Sequence, residues 1–380
     1  MHVAILATHF ASGQPASAEP HLANLVNAIA RIDHENRYTL FVRDDNKDCF
    51  PSGKNIEHIV VPSLCRFKWI RVLYEQVMVP CISAFHKFDV IHFTANAGPV
   101  LLPCRSVGTV HWVVDPILTR SFRWDRRVYT ALIHRLSMTN AGRLIAVSKA
   151  CKNELAKTLK IPDNKIEVIY HGVDRAFKPG WPQEMVKAMR ARYGIREKYL
   201  LSVTSSAPYK NLSILLDAFA RAKLTYGIPH QLVLAGNVNR EYLSGLLEKN
   251  RQYSKNLDWN KEIISTGYIP HQEMPVLYSG ASLLVYVSLR ETFGLAVTEA
   301  MASGVPTIVS NIPALIEVAG NATLVVDPHN TNEIAESMHR ILATPELSGK
   351  LVRRGLARAA EFSWDQAARE TIEVYKKVVA

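Results

Sequence analysis

Ser288-Leu-Arg-Glu291-Thr-Phe-Gly294-Leu-Ala-Val-Thr-Glu299-Ala-Met-Ala-Ser-Gly304-Val-Pro306 lies between two short apolar runs, Ser282–Val287 and Thr307–Ser310. The pattern predicts a strand ending near Ser288, a loop holding Glu291 to Gly294, a helix over Gly294–Ala302 and a second strand. Both runs are continuously apolar rather than alternating. A strand of that kind is covered on both faces, as in a parallel sheet wrapped by helices.

The same alternation extends in both directions. Upstream, strands are expected at Val3–Ala7, Tyr38–Val42, Ile56–Val61, Val90–Phe93, Gly108–His111, Leu144–Val147 and Ile166–Tyr170. Further on they are expected at Tyr199–Thr204, Gln231–Ala235, Glu262–Thr266 and Thr323–Val326. Helical spacing marks His21–Ile32, Ser148–Leu159 with Ser148 as N-cap, and Asn211–Lys223. With 380 residues the chain exceeds one core, since cores stop growing near ~250 residues. Lys178-Pro179-Gly180-Trp181-Pro182 interrupts any regular element and puts the boundary there. The expected domains are 1–178 and 179–362, two Rossmann-like, doubly wound α/β units with ligands bound where strand ends face a cleft.

Composition narrows the setting. The five cysteines, Cys49, Cys65, Cys81, Cys104 and Cys151, are scattered without C-x-x-C pairing, which argues against a disulfide framework or zinc site and favours a reducing cytoplasm. The amino terminus reads as a buried strand rather than a signal peptide, and no apolar run approaches the ~20 residues of a membrane span. The net charge is +11, and residues 1–180 hold 23 Lys and Arg against 15 Asp and Glu. Arg66, Phe67, Lys68, Trp69 and Arg71, then Arg120, Phe122, Arg123, Trp124, Arg126 and Arg127, mix cations with aromatics. Such runs suit an anionic membrane surface, or equally a packed face with solvated charges. Nucleic acid is not expected, because no helix-turn-helix, zinc or RNA-binding signature accompanies them.

The loop before the 294–302 helix is where chemistry is expected. Backbone N–H groups at a helix start attract phosphate, and Gly294 lets a ligand approach the backbone. Glu291 and Glu299 would face that ligand from two heights and accept sugar hydroxyls. On spacing alone they read equally well as a capping acid and an exposed helix charge.

This stretch resembles the E-x7-E motif of retaining glycosyltransferase family 4, and its surroundings do too. Thr266-Gly267-Tyr268-Ile269, Leu277-Tyr278-Ser279-Gly280-Ala281 and Val325-Val326-Asp327-Pro328 are similar to family segments flanking the motif. So are Ser310-Asn311-Ile312-Pro313, Val168-Ile169-Tyr170-His171-Gly172-Val173-Asp174 and Phe362-Ser363-Trp364-Asp365. The resemblance implies the two-domain GT-B fold, with an acceptor domain, a donor domain and a final helix, about 363–380, returning to the first. It implies that Glu291 contacts the transferred hexose, Glu299 the ribose, and Thr292, Phe293, Gly294 and Leu295 the sugar and diphosphate, with Ile269 near the base.

Lys210, in Ser202-Val-Thr-Ser-Ser-Ala-Pro-Tyr-Lys210-Asn211, resembles the family's phosphate lysine, with Ser205 in its turn. An ammonium there neutralises a departing diphosphate. The arginine that family members usually place before this lysine is missing; Thr204, Ser205, Ser206 and Tyr209 stand there, and Arg240 or Arg290 are candidate substitutes. His111 resembles the family's strand-end histidine near the donor hexose, although Trp112 follows where an Asp is usual. The loop after the first strand keeps Gly13 of a Gly-Gly pair, with His9 and Ser12 as weaker candidates.

The expected activity is therefore hexose transfer, mannose favoured, with retention, from a GDP- or UDP-sugar to a saccharide or lipid-linked saccharide in surface polysaccharide synthesis. Retention would arise by same-face attack assisted by the donor phosphate. No metal or other cofactor is expected, for the sequence has no Asp-x-Asp motif. The expected location is cytoplasmic, with peripheral contact at the inner face of the plasma membrane. Alternatives are an epimerase or phosphorylase of the same architecture, or a catalytically weak nucleotide-sugar-binding protein.

Overall fold

The computed structural model describes residues 1–10, 19–113, 129–251 and 257–380. It comprises two compact units, Met1–Gly172 with Ser363–Ala380, and Val173–Phe362.

The first unit holds a seven-stranded sheet, β1 (His2–Leu6), β2 (Arg37–Val42), β3 (Ile56–Val60), β4 (Val90–Phe93), β5 (Arg105–Val110), β6 (Arg143–Ala146) and β7 (Ile166–Val168). Its order is β3-β2-β1-β4-β5-β6-β7 and every pairing is parallel. The Glu19–Ile32 helix buries Leu22, Val26 and Ile29, the helical stripe read from the sequence. Ser148 caps the Lys149–Leu159 helix, accepting from Cys151 N at 2.9 Å. The Trp364–Val379 helix packs on the Glu19–Ile32 helix, and Tyr375 OH lies 2.7 Å from His92 Nδ1 beneath it. Gly172 admits this docking: a Cβ there would stand 2.2 Å from Trp364 N.

The second unit holds β8 (Tyr199–Val203), β9 (Gln231–Ala235), β10 (Ile263–Gly267), β11 (Leu283–Tyr286), β12 (Thr307–Ser310) and β13 (Leu324–Val326). The order is β10-β9-β8-β11-β12-β13, again wholly parallel. All residues of β9 and β11 are buried, which explains their continuous apolar sequence.

The units divide at Gly172/Val173, whereas the Pro/Gly segment at 178–182 belongs wholly to the second. The reason is local packing: Val173 N donates to Phe362 O at 3.0 Å, and Phe177 is buried in the second unit's core. In each sheet the strand order reverses once, between β1 and β4 and between β8 and β11. Ligands of doubly wound sheets bind outside the carboxyl ends of the strands at such a switch point.

Candidate active site

In the second unit the switch point joins two segments far apart in sequence. A short turn, Pro208–Lys210, follows β8, and the Glu291 loop follows β11. Two ties hold them together. Asn211, left-handed at φ 56°, donates from Nδ2 to Val287 O at 3.1 Å and to Pro328 O at 2.7 Å, and Leu289 N donates to Tyr209 O at 2.7 Å. Lys210 Nζ thereby donates to Glu291 Oε1 at 2.6 Å and to Tyr286 OH at 2.7 Å, while Tyr286 OH donates to Glu291 Oε1 at 2.7 Å. Burial works against the ammonium, but Tyr286 and Glu291 outweigh it and hold Lys210 above its ordinary value. Burial likewise raises the Tyr286 phenol, which stays a neutral donor.

Gly294 opens the Leu295–Ala302 helix with φ 101°, a backbone that side chains rarely adopt, and an added Cβ would meet Leu315 Cδ2 at 2.5 Å. Leu295 and Thr292 are half-buried, and Phe293 is buried with its ring edge-on to Phe362. One turn further in, Glu299 Oε2 accepts from the buried Tyr278 OH at 3.0 Å. Burial pushes the Glu299 carboxyl up to about 7, opposed by the charge of His271 and the Tyr278 bond. His271 stands 3.6 Å from Asp174; burial lowers it, yet the Asp174 carboxylate and the Glu299 charge leave it raised overall.

Of the other expected donor residues, Ser205 accepts from Ala207 N at 3.3 Å inside the turn before Lys210. Ile269 is in the hydrophobic core, a packing position. Arg290 is next to Glu291 in the loop, and Arg240 begins the Arg240–Arg251 helix. Tyr286, Tyr278, His271 and Asp174 were not singled out from sequence, although Tyr278 and Asp174 lie inside family-like segments.

The first unit carries a different constellation. His111 follows β5, and Asn96 Oδ1 holds the turn by accepting from His111 N at 2.7 Å and Trp112 N at 3.1 Å. His111 Nε2 lies 2.9 Å from Thr94 O and 3.1 Å from His21 Nε2. His171 completes a trio whose ring nitrogens lie within 4.8 Å of one another, with Trp364 beside it. Burial, then neighbouring imidazoles, lowers His111 far below its usual range, and His171 follows suit. Three imidazoles are a donor set for a transition metal. His111 and His171 have their ring planes 14° apart, with centroids 5.2 Å apart.

A second buried group lies at the end of β1. Glu75 takes a bond from Thr8 Oγ1 and lies 3.6 Å from His9 Nδ1 and 3.7 Å from Arg71 Nε. Burial raises its carboxyl to about 7. Gly13 and Ser12 of the adjoining loop lie outside the described residues, as do Arg120, Phe122, Arg123, Trp124, Arg126 and Arg127.

Two family models match this chain in succession: Glycosyltransferase Family 4 over residues 18–177 and Glycosyl transferases group 1 over residues 186–358. The chain belongs to the family 4 glycosyltransferases. This family member is 29% identical over 254 residues to O-antigen chain mannosyltransferase B of Escherichia coli, covering 66% of this chain and 65% of the relative. It is 25% identical over 289 residues to the serotype-specific mannosyltransferase WbdA of Escherichia coli, covering 76% of this chain and 35% of that one. The chain thus spans under two thirds of the length of both relatives. In fold it is similar to HepE of Anabaena, solved in complex with UDP, with a TM-score of 0.73 at 18% identity over 99% of this chain and 100% of that one. The two doubly wound units are those of the GT-B architecture.

Proposed function

We propose that this chain transfers a hexose, with mannose favoured, from a nucleotide diphosphate sugar to a saccharide or lipid-linked saccharide in surface polysaccharide synthesis. The Lys210–Glu291–Tyr286 triad at the β8/β11 switch point, beside the left-handed Gly294, carries this reading. The mannosyltransferase relatives favour mannose, and GDP-mannose is the donor we expect, with UDP-hexoses next.

In this reading the diphosphate draws the Lys210 ammonium away from Glu291 and toward the departing oxygen. Charge that develops as the glycosidic bond breaks then meets a preset cation and the N–H groups that open the Leu295–Ala302 helix. Glu291, freed from Lys210, accepts hydroxyls of the hexose, and Glu299 accepts those of the ribose. Tyr286 contributes a neutral donor in a site where Tyr209 stands in the usual place of arginine. His111, held neutral, bonds a hydroxyl rather than a phosphate. Retention follows from same-face attack assisted by the donor phosphate, and no metal takes part. The setting is the cytoplasm, with peripheral contact at the inner face of the plasma membrane.

The test is thermal stabilisation against GDP-, UDP-, ADP- and dTDP-sugars. A ligand at 100 times its dissociation constant adds about 2.7 kcal/mol. One nucleotide series should stabilise the protein, Glu299→Ala should abolish the shift, and sugar from the stabilising donor should pass to a saccharide acceptor. No shift at millimolar nucleotide would overturn the donor-site assignment. Sugar release only with inorganic phosphate would point to a phosphorylase.

A further inference from the structure

The Lys68–His86 helix of the first unit has two unlike faces. Inward, Val72, Glu75, Val79 and Ser83 are buried, and Gln76 clamps the segment after β4, donating to Gly98 O at 3.0 Å and accepting from Val100 N at 2.9 Å. Outward, Trp69, Ile70, Leu73, Val77, Met78 and Phe85 are all exposed, with Leu73 at 64% and Phe85 at 84%. At about 100° per residue these positions fill one half of the helix circumference, and no charged residue falls within it. Glu75, the only carboxylate in the helix, is on the opposite, buried side. Soluble proteins seldom leave so continuous an apolar face open to water.

Charge decides what covers it. Arg66 and Lys68 stand at one end of the helix and Lys87 at the other. Arg66 lies over the Phe67 ring at 4.9 Å and Lys68 Nζ over the Trp69 ring at 4.6 Å, so cation and aromatic share one edge of the face. A second copy would bring the same charge to the contact and repel, whereas phosphate-bearing lipid complements it. No helix among the described residues is long and apolar enough to cross a bilayer, so contact of this helix with lipid would be along the surface.

We infer that the outward face of the Lys68–His86 helix docks on an anionic phospholipid surface, its apolar side chains in the headgroup–acyl boundary and Arg66, Lys68 and Lys87 on the lipid phosphates. This deepens the peripheral placement proposed above and assumes nothing about donor or sugar.

The experiment is co-sedimentation of the full chain with phosphatidylcholine vesicles, with and without phosphatidylglycerol, in the absence of nucleotide. The chain should sediment with the anionic vesicles alone, and binding should weaken as salt rises. Leu73→Glu with Phe85→Glu, and separately Arg66→Glu with Lys68→Glu, should each weaken binding by about tenfold or more, with the thermal midpoint and nucleotide-induced shift unchanged. Failure to bind anionic vesicles would overturn the inference, as would equal binding by the Leu73→Glu/Phe85→Glu variant. So would a dimer seen by light scattering that this variant splits. Because no nucleotide is present, any of these outcomes leaves the donor-site reading standing.

Discussion

The two sheets of this molecule reverse their strand order in the same way, yet the side-chain clusters beside them differ in electrostatics. In the second unit an ammonium, a carboxylate and a phenol are locked together within 2.7 Å of one another, and the charge on Lys210 is reinforced. In the first unit three imidazoles crowd together, and burial strips His111 and His171 of charge. A preset cation suits a ligand that arrives with negative charge and gains more in the reaction. Neutral imidazoles at His111 and His171 suit hydroxyls. On the proposed function, the contrast suits an anionic substrate at the second unit and an uncharged one at the first.

The sharpest way to break this contrast is Lys210→Ala. We expect kcat to fall about a thousandfold, ~4 kcal/mol of lost leaving-group stabilisation, as when a preset oxyanion donor is removed. A loss under tenfold in single-turnover assays would mean that the charge comes from elsewhere. His111→Ala tests the other side: kcat should drop about thirtyfold while calorimetry shows unchanged nucleotide affinity, because a neutral hydrogen bond to substrate is worth only a few kcal/mol. Lost nucleotide affinity in that variant would place the nucleotide against the first unit. Tyr286→Phe removes a neutral donor and should cost about tenfold in kcat. If Tyr286→Phe is silent, the phenol only fills space beside Lys210.

The smallest effect concerns pH. The Glu299 carboxyl is raised to about 7, so it is neutral below that value and ionises as pH rises through it. Ribose hydroxyls bond better to the ionised form. Donor affinity measured by calorimetry should therefore rise about fivefold from pH 6 to pH 8, roughly 1 kcal/mol, and Glu299→Gln should flatten the curve. An unchanged affinity across that range would remove Glu299 from the ribose.

How much of this was readable beforehand depends on the range of the interactions. The thirteen strands of the described residues announce themselves by short apolar runs, most plainly β9 and β11, where every residue is buried and both faces are covered. Ser148 was legible as a cap because its partner is three residues away. Lys210 and Glu291 were legible as chemistry through their family-like surroundings, but not as a mutual ion pair, since 81 residues separate them. Tyr286 read as one more apolar strand residue; its hydroxyl acquires meaning only when β8 and β11 become neighbours. His21 and His171 were hidden for the same reason. The Lys68–His86 helix escaped as a full element because apolar residues surround it, and a stripe on every side gives no period to read. The 178–182 segment misled the boundary because Pro and Gly mark a turn without saying which core the turn serves.

The Trp364–Val379 helix has a consequence for biosynthesis. It belongs to the first unit, yet the ribosome makes all 190 residues of Val173–Phe362 before it. Domains usually complete themselves in the order they emerge. Here the amino-terminal unit waits with His92 lacking Tyr375 until residues 363–380 have been made, while the unit made before them can close first. A frameshift or stop codon near residue 360 would therefore harm the half of the protein made earliest and spare the half beside the break.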